Sequence, residues 1–136
     1  MQTCTYLLFD GQCEEAFNLY ADLLGGEIVA MLRQGDTPGM PNPPAGLEDK
    51  IMHAFMKVGD RDIMASDVPP HDYSTPQGFS VQLSVDSAAE AKRIFDGLAD
   101  GGTVTLPLGK TPWAEKFGML VDRFGVPWMI NYAPTA

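Results

Sequence analysis

Basic residues are scarce in this chain. Its 136 residues hold 9 Lys and Arg against 18 Asp and Glu, a formal net charge of −9. That balance argues against a nucleic-acid partner, whose phosphates need clustered Lys and Arg. The acidity itself reads as a soluble surface. Cysteine is nearly absent as well. Cys4 and Cys13 are too few for a disulfide framework and lack metal-ligand spacing, so they are expected as reduced thiols in a cytoplasmic protein. Long apolar runs are missing: none approaches the roughly 20 residues of a membrane span, so no membrane partner is expected. The opening MQTCTYLLFDG lacks the basic and then apolar pattern of a signal peptide.

What is present suits one compact domain or two small fused halves, with 45% hydrophobic residues available for a core. Thr5–Phe9 is an apolar strand-forming run ended by Asp10-Gly11. Ala16, Leu19, Tyr20 and Leu23 then recur at helical spacing, and Gly25-Gly26 stops that helix. Glu27–Arg33 reads as a strand, and the Pro-rich stretch 34–50 as a long loop of the kind that is mobile or functional. Ile51–Val58 and Arg61–Ser66 form a hairpin around Gly59-Asp60. Asp67 is expected to cap the loop that follows.

The second half repeats this order. Phe79–Val85 alternates as a strand, and Ser87-Ala-Ala-Glu90 is a capping-box sequence. Ala91, Ile94, Phe95 and Leu98 form the next apolar stripe, and Gly101-Gly102 ends it. Thr103–Leu108 is a strand. Phe117–Asn131 closes the half as a hairpin turned on Asp122-Arg123-Phe124-Gly125. Pro127, early in the return strand, removes a ladder donor, which places that strand near an edge or turns its N–H outward. Superposed, Glu15-Ala16 matches Glu90-Ala91, Leu19-Tyr20 matches Ile94-Phe95, and Ile63-Met64 matches Trp128-Met129. Each half therefore reads strand–helix–three strands, a duplication.

The stretches YLLFDGQCEEAFNLYADLLGGEI, IMASD, FSVQLSVDSAAEAKRIFDGLADGGTV and KTPWAEKFGMLVDRFGVPWMINY resemble the PhnB-like branch of the vicinal oxygen chelate superfamily, which includes glyoxalase I, bleomycin-resistance proteins and extradiol dioxygenases. The resemblance covers nearly the whole chain. It implies an α+β fold of duplicated βαβββ modules forming a curved mixed sheet around a cavity, usually in a homodimer. The expected organisation is one domain, 1–136, made of module 1–67, a Pro-rich link 68–77 and module 78–136. Some members of the branch carry a demethylubiquinone methyltransferase label. The Gly-rich strand–loop–helix turn that would hold a nucleoside cofactor does not occur in this sequence, and no cofactor is expected.

Strand alternation assigns the cavity face. Ser80 and Gln82 should face it while Val81, Leu83 and Val85 turn toward the helices. Pairing Val58 with Arg61 puts His53 opposite Ser66 and Phe55 opposite Met64 on that face. Phe117, Met119, Met129 and Asn131 share it in the last hairpin, with Leu120, Trp128 and Ile130 behind. In the first strand Thr5, Leu7 and Phe9 are expected to look inward. Trp113, in the loop TPWAEK, is the candidate lid or pocket wall; its plainer role is anchoring that loop.

Metal-dependent members of the superfamily place His, Gln or Glu at four cavity positions. Carried over, these fall on Thr5, Met64, Ser80 and Met129, none of which suits a divalent ion. His53, Asp67 and His71 are an alternative donor set, but His53 reads better as a partner of Ser66 or a pocket wall, and His71 as exposed. The sequence thus points to a metal-free binder of a small molecule. The alternatives are a lyase, isomerase or dioxygenase that recruits a metal through His53, and an antibiotic-sequestering protein, for which acidity would suit a cationic drug.

Overall fold

The computed structural model describes residues 1–39 and 42–134. Met40 and Pro41, within the loop expected at 34–50, lie outside the described residues. The chain divides into two compact units, Met1–Ser74 and Thr75–Ala136. The first carries β1 (Thr5–Phe9), α1 (Cys13–Leu24), β2 (Glu27–Arg33), β3 (Ile51–Val58) and β4 (Arg61–Asp67). The second carries β5 (Val81–Ser84), α2 (Ala88–Ala99), β6 (Thr103–Gly109), β7 (Lys116–Val121) and β8 (Pro127–Tyr132). Each builds a four-stranded mixed sheet, in the orders β1-β4-β3-β2 and β5-β8-β7-β6. The first strand of each unit runs parallel to the last, and the other pairs are antiparallel. The duplicated βαβββ order expected from the sequence is the order observed.

One helix covers one face of each sheet. On α2 the expected stripe holds: Ala91, Ile94, Phe95 and Leu98 are buried. Glu90 N donates to the Ser87 hydroxyl at 3.0 Å, and the Glu90 carboxylate accepts from Asp86 N, one residue before the cap. On α1 the stripe is rotated from the expected one. Cys13, Ala16, Phe17 and Tyr20 are fully buried, whereas Leu19 and Leu23 are only half-buried. Phe17 is the reason: it fills the covered face, and the helix turns to seat it.

Both Gly pairs do the same two jobs. Gly25 and Gly101 take positive φ, 66° and 76°, where the chain leaves the helix. Gly26 and Gly102 allow close approach. A Cβ on Gly26 would meet Met56 Sδ at 2.9 Å, and one on Gly102 would meet the Val121 carbonyl oxygen at 2.3 Å.

The covered faces hold Leu7, Phe9, Ala54, Met56, Ile63 and Ala65 in the first unit, and Val81, Leu120, Trp128 and Ile130 in the second. Burying each large apolar side chain contributes about 1.5–3 kcal/mol. The first-strand expectation is thereby corrected. Leu7 and Phe9 lie on the helix side, at 2% and 1% exposure, and Thr5 shares their parity. Tyr6 and Leu8 occupy the other face. One further expectation shifts. Strand β5 is shorter than 79–85, leaving Ser80 just ahead of it. Pro127 is the first residue of β8, an inner strand, where its missing donor is tolerated.

Two buried carboxylates lock the chain. Asp67 does not cap its following loop: it accepts from Cys13 N and Ile51 N, each at 2.9 Å, tying the end of β4 to the starts of α1 and β3. Asp122 closes the last hairpin by accepting from Phe124 N and Val126 N at 2.9 Å and from the Trp128 indole at 2.8 Å. Burial, and then the charges of Asp67 and Glu14, push the Cys13 thiol far up. The Arg33 guanidinium grips both carboxylate oxygens of Glu14, at 2.7 and 3.2 Å, and the Asp49 carbonyl at 2.9 Å. Those hydrogen bonds hold Glu14 below its ordinary carboxylate range.

Candidate functional site

Because alternate residues of a strand point to opposite faces, the side of each sheet away from its helix carries a defined set of side chains. In the first unit Tyr6, Met64 and Phe55 form one row across β1, β4 and β3. The pairs Leu8–Ser66 and Leu32–His53 belong to the next, since the register that sets Ala54 against Ala65 brings His53 opposite Ser66. The face is apolar and partly open: Tyr6, Leu8 and Leu32 are 46–48% exposed. Its polar centre is a pair. The Tyr6 hydroxyl lies 3.2 Å from His53 Nδ1, and the two rings stack with centroids 5.9 Å apart at 26°. At the far end Lys57 sits 5.3 Å over the Phe55 ring and 3.4 Å from Asp62.

The second unit presents a different chemistry. Gln82, Met129, Met119 and Leu106 form a row across all four strands, with Ser84, Asn131 and Phe117 beside it. The Gln82 amide donates to the Ser84 hydroxyl at 3.0 Å. Asn131 Oδ1 is buried without a hydrogen-bond partner, an acceptor that costs about 1–3 kcal/mol unless something supplies a donor. Trp113 is 62% exposed and meets the Phe117 ring edge-on at 5.4 Å. Its loop is closed by Thr111: the hydroxyl accepts from Ala114 N at 3.1 Å, and the Thr111 amide donates to the Ala114 carbonyl at 3.0 Å. The indole is thus fixed where β7 begins on the open face.

His53, Phe55, Met64 and Ser66 therefore lie together on one sheet, and Gln82, Phe117, Met119, Met129 and Asn131 on the other. Ser80 lies outside the strand that was expected to hold it. Tyr6 is the residue that sequence reasoning missed. Its signal was faint: in TYLLF both parities are apolar, and only the phenol hydroxyl marks the open side.

The donor set does not fit a metal. Among the described residues no three His, Cys, Asp or Glu side chains converge on a common point. Both Asp67 oxygens are occupied by backbone amides, and His71 is exposed beside Asp72 at 3.6 Å. Of the four positions carried over from metal-dependent relatives, Met64 and Met129 are thioethers on the open faces, Ser80 precedes its strand, and Thr5 lies on the helix side.

Two four-stranded mixed sheets, each backed by one helix, define an α+β protein of the glyoxalase/bleomycin-resistance fold. A domain described as glyoxylase/bleomycin resistance protein/dioxygenase from Frankia sp. EAN1pec shares that fold at 14% identity and TM-score 0.64, over 98% of this chain and 97% of its own. Residues 1–131 match the family described as 3-demethylubiquinone-9 3-methyltransferase, and the chain belongs to that family, the PhnB-like branch of the vicinal oxygen chelate superfamily. Protein PA1353 of Pseudomonas aeruginosa is 51% identical, covers 98% of both chains and superposes with TM-score 0.90. The PhnB protein of Bacillus cereus is 30% identical over 98% of this chain and 100% of its own, with TM-score 0.82. Protein YjdN of Escherichia coli K12 is 36% identical over 96% of this chain and 95% of its length.

Proposed function

We propose that this chain is a metal-free binder of an apolar, largely planar small molecule. It acts as one domain with modules 1–67 and 78–136, as a homodimer in the cytoplasm. The ligand rests on the open face of a sheet, against rings and thioethers, with a few polar groups fixing its orientation. The observation that carries this reading is the composition of the open faces: Phe55 and Met64 in the first unit, and Phe117, Met119 and Met129 in the second, alternate with buried core residues, and the unpartnered Asn131 oxygen lies beside the latter group.

Uptake of the neutral dye N-phenyl-1-naphthylamine by the folded protein tests it, together with mass spectrometry of whatever copurifies. Saturable binding that Met129→Gln weakens is the expected result. A native protein that takes up neither dye nor cellular ligand would overturn the reading. Metal independence has its own test. An ion binding only the native state at a thousand times its Kd would add about 4 kcal/mol, and zinc, nickel or manganese should add nothing of the kind. A large rise in Tm that His53→Ala removes would favour a metal-dependent enzyme instead. Sedimentation at micromolar concentration should give twice the chain mass, and a clean monomer would remove the dimer from the proposal.

A further inference from the structure

The Tyr6–His53 pair is the one hydrogen-bonded aromatic couple on the open face of the first sheet among the described residues. Its chemistry is asymmetric. A neutral imidazole has one donor and one acceptor nitrogen. The Tyr6 hydroxyl can donate to Nδ1, which leaves the proton on Nε2. Protonation makes both nitrogens donors, so Nδ1–H then donates to the phenol oxygen, and the phenol proton is freed to point elsewhere. With Tyr6 donating, the neutral pair offers Nε2–H outward; in the other tautomer Nδ1–H donates to the phenol and Nε2 is an outward acceptor. Charged, both nitrogens can only donate, and the pair carries a positive charge.

A charged imidazole, whose nitrogens only donate, recognises an anion. We propose that Tyr6 and His53 form an anion-recognition pair, selecting ligands that carry a carboxylate or sulfonate on a flat apolar body and gripping them most tightly when His53 is protonated. This rests on the open-face ligand reading above and names the class of ligand for that site. The flat body lies on the row Tyr6–Met64–Phe55, which adjoins the pair in the strand register. The titratable and charged groups around the pair come from three strands. From β1 the facing titratable group is Tyr6 itself. From β4 the facing neighbour is Ser66, with Asp62 four positions further along. From β2 it is Leu32, with Glu27 at the far end opposite Lys57, which lies on β3 with His53. The backbone positions of those three residues are about 13 Å along the strands at about 3.3 Å per residue, but the Lys57 ammonium reaches back to 5.3 Å over the Phe55 ring; nearer still in the chain, Arg33 pairs with Ile51, and Asp67 accepts from Ile51 N. Helix α1 covers the opposite face.

The probe pair is 8-anilinonaphthalene-1-sulfonate and N-phenyl-1-naphthylamine, the same aromatic body with and without the anion. Both are titrated into the full chain at about pH 5.5 and about pH 8, which bracket the range where imidazoles titrate, with circular dichroism confirming the native fold at each pH. A hydrogen bond to a charged donor exceeds a neutral one by enough to change affinity about tenfold. The sulfonate should therefore bind about tenfold tighter at the lower pH, and the neutral dye equally at both. His53→Gln keeps a hydrogen-bonding partner for Tyr6 and should abolish the pH dependence. Tyr6→Phe should weaken sulfonate binding at the lower pH more than it alters binding of the neutral dye. Nitrogen chemical shifts supply a second readout: His53 should hold the Nε2–H tautomer in the wild type and a mixture in Tyr6→Phe. Sulfonate affinity that ignores pH, or pH dependence that survives His53→Gln, would overturn the pair's role. If the neutral dye binds and the sulfonate shows no preference, this inference alone fails. If neither dye binds the native protein, the open-face reading fails with it.

Discussion

The two closing hairpins occupy the same place in their units and are held by opposite means. The β3–β4 turn is two residues, Gly59-Asp60, with Gly59 at φ 60° and both residues exposed. Among the described residues no buried side chain bonds to it; the ladder and the turn geometry hold it. The β7–β8 turn is longer and is wound around the buried Asp122 carboxylate, which collects two backbone amides and the Trp128 indole. In the first unit the buried acid has moved to the end of the hairpin, where Asp67 joins β4 to α1 and β3. The lesson is that topology and the covered apolar face survive duplication while the polar anchors are placed afresh. One anchor is local and one spans the unit.

Removing each anchor tests that contrast. Asp122→Ala removes the buried acceptor of three hydrogen bonds and should cost on the order of 4 kcal/mol by denaturant midpoint. Asp67→Ala removes the acceptor of two and should cost about 3 kcal/mol. The two should also differ in reach: hydrogen exchange after Asp67→Ala should rise at both α1 and β3, whereas after Asp122→Ala it should rise around the turn and Trp128. Equal, unit-wide loosening from both would erase the distinction between local and spanning anchors.

The two faces of the second sheet offer a finer comparison. Trp128 is fully buried and Leu83 only half-buried, while Met129 lies on the open side. Trp128→Ala should cost about 3–5 kcal/mol, Leu83→Ala about 2, and Met129→Gln less than about 1, because an open wall can hydrate the amide. Met129→Gln ranking first would mean that the faces are exchanged.

The smallest effect belongs to the exposed Glu14–Arg33 pair. Glu14 titrates below its ordinary range in the folded chain, so its contribution is present above that range and is lost as pH falls through the folded value. The difference in Tm between wild type and Glu14→Gln should therefore be positive near neutrality and vanish in acid. A constant difference would show that the pair acts through packing alone.

How much of this was legible beforehand depends on whether alternation had a tie-breaker. The β3–β4 register followed from the Gly59-Asp60 turn, and the Phe117–Asn131 faces from Leu120, Trp128 and Ile130 alternating with Phe117, Met119, Met129 and Asn131. Strand β1 offered no such guide. Tyr6 and Leu8 are as apolar as Leu7 and Phe9, so only the packed helix decides between the parities. Ser80 read as a strand residue because its neighbours continue the alternation, yet the ladder begins at Val81. Asp67 was misread for a different reason. Its partners lie 54 and 16 residues away, and no local pattern announces a carboxylate that serves amides so distant in the chain.

The position of Cys13 makes the first unit readable by chemistry. Cys4 is exposed and Cys13 wholly enclosed, and the thiolate that reacts with a maleimide is suppressed as long as burial and the neighbouring acids hold the thiol protonated. With Cys4 replaced by Ser, each alkylation event then records one departure of α1 from its sheet. Where reclosing outpaces alkylation, the rate is a direct gauge of that opening equilibrium. The second unit contains no cysteine, so the gauge reads the opening of the first half alone, with no contribution from the other.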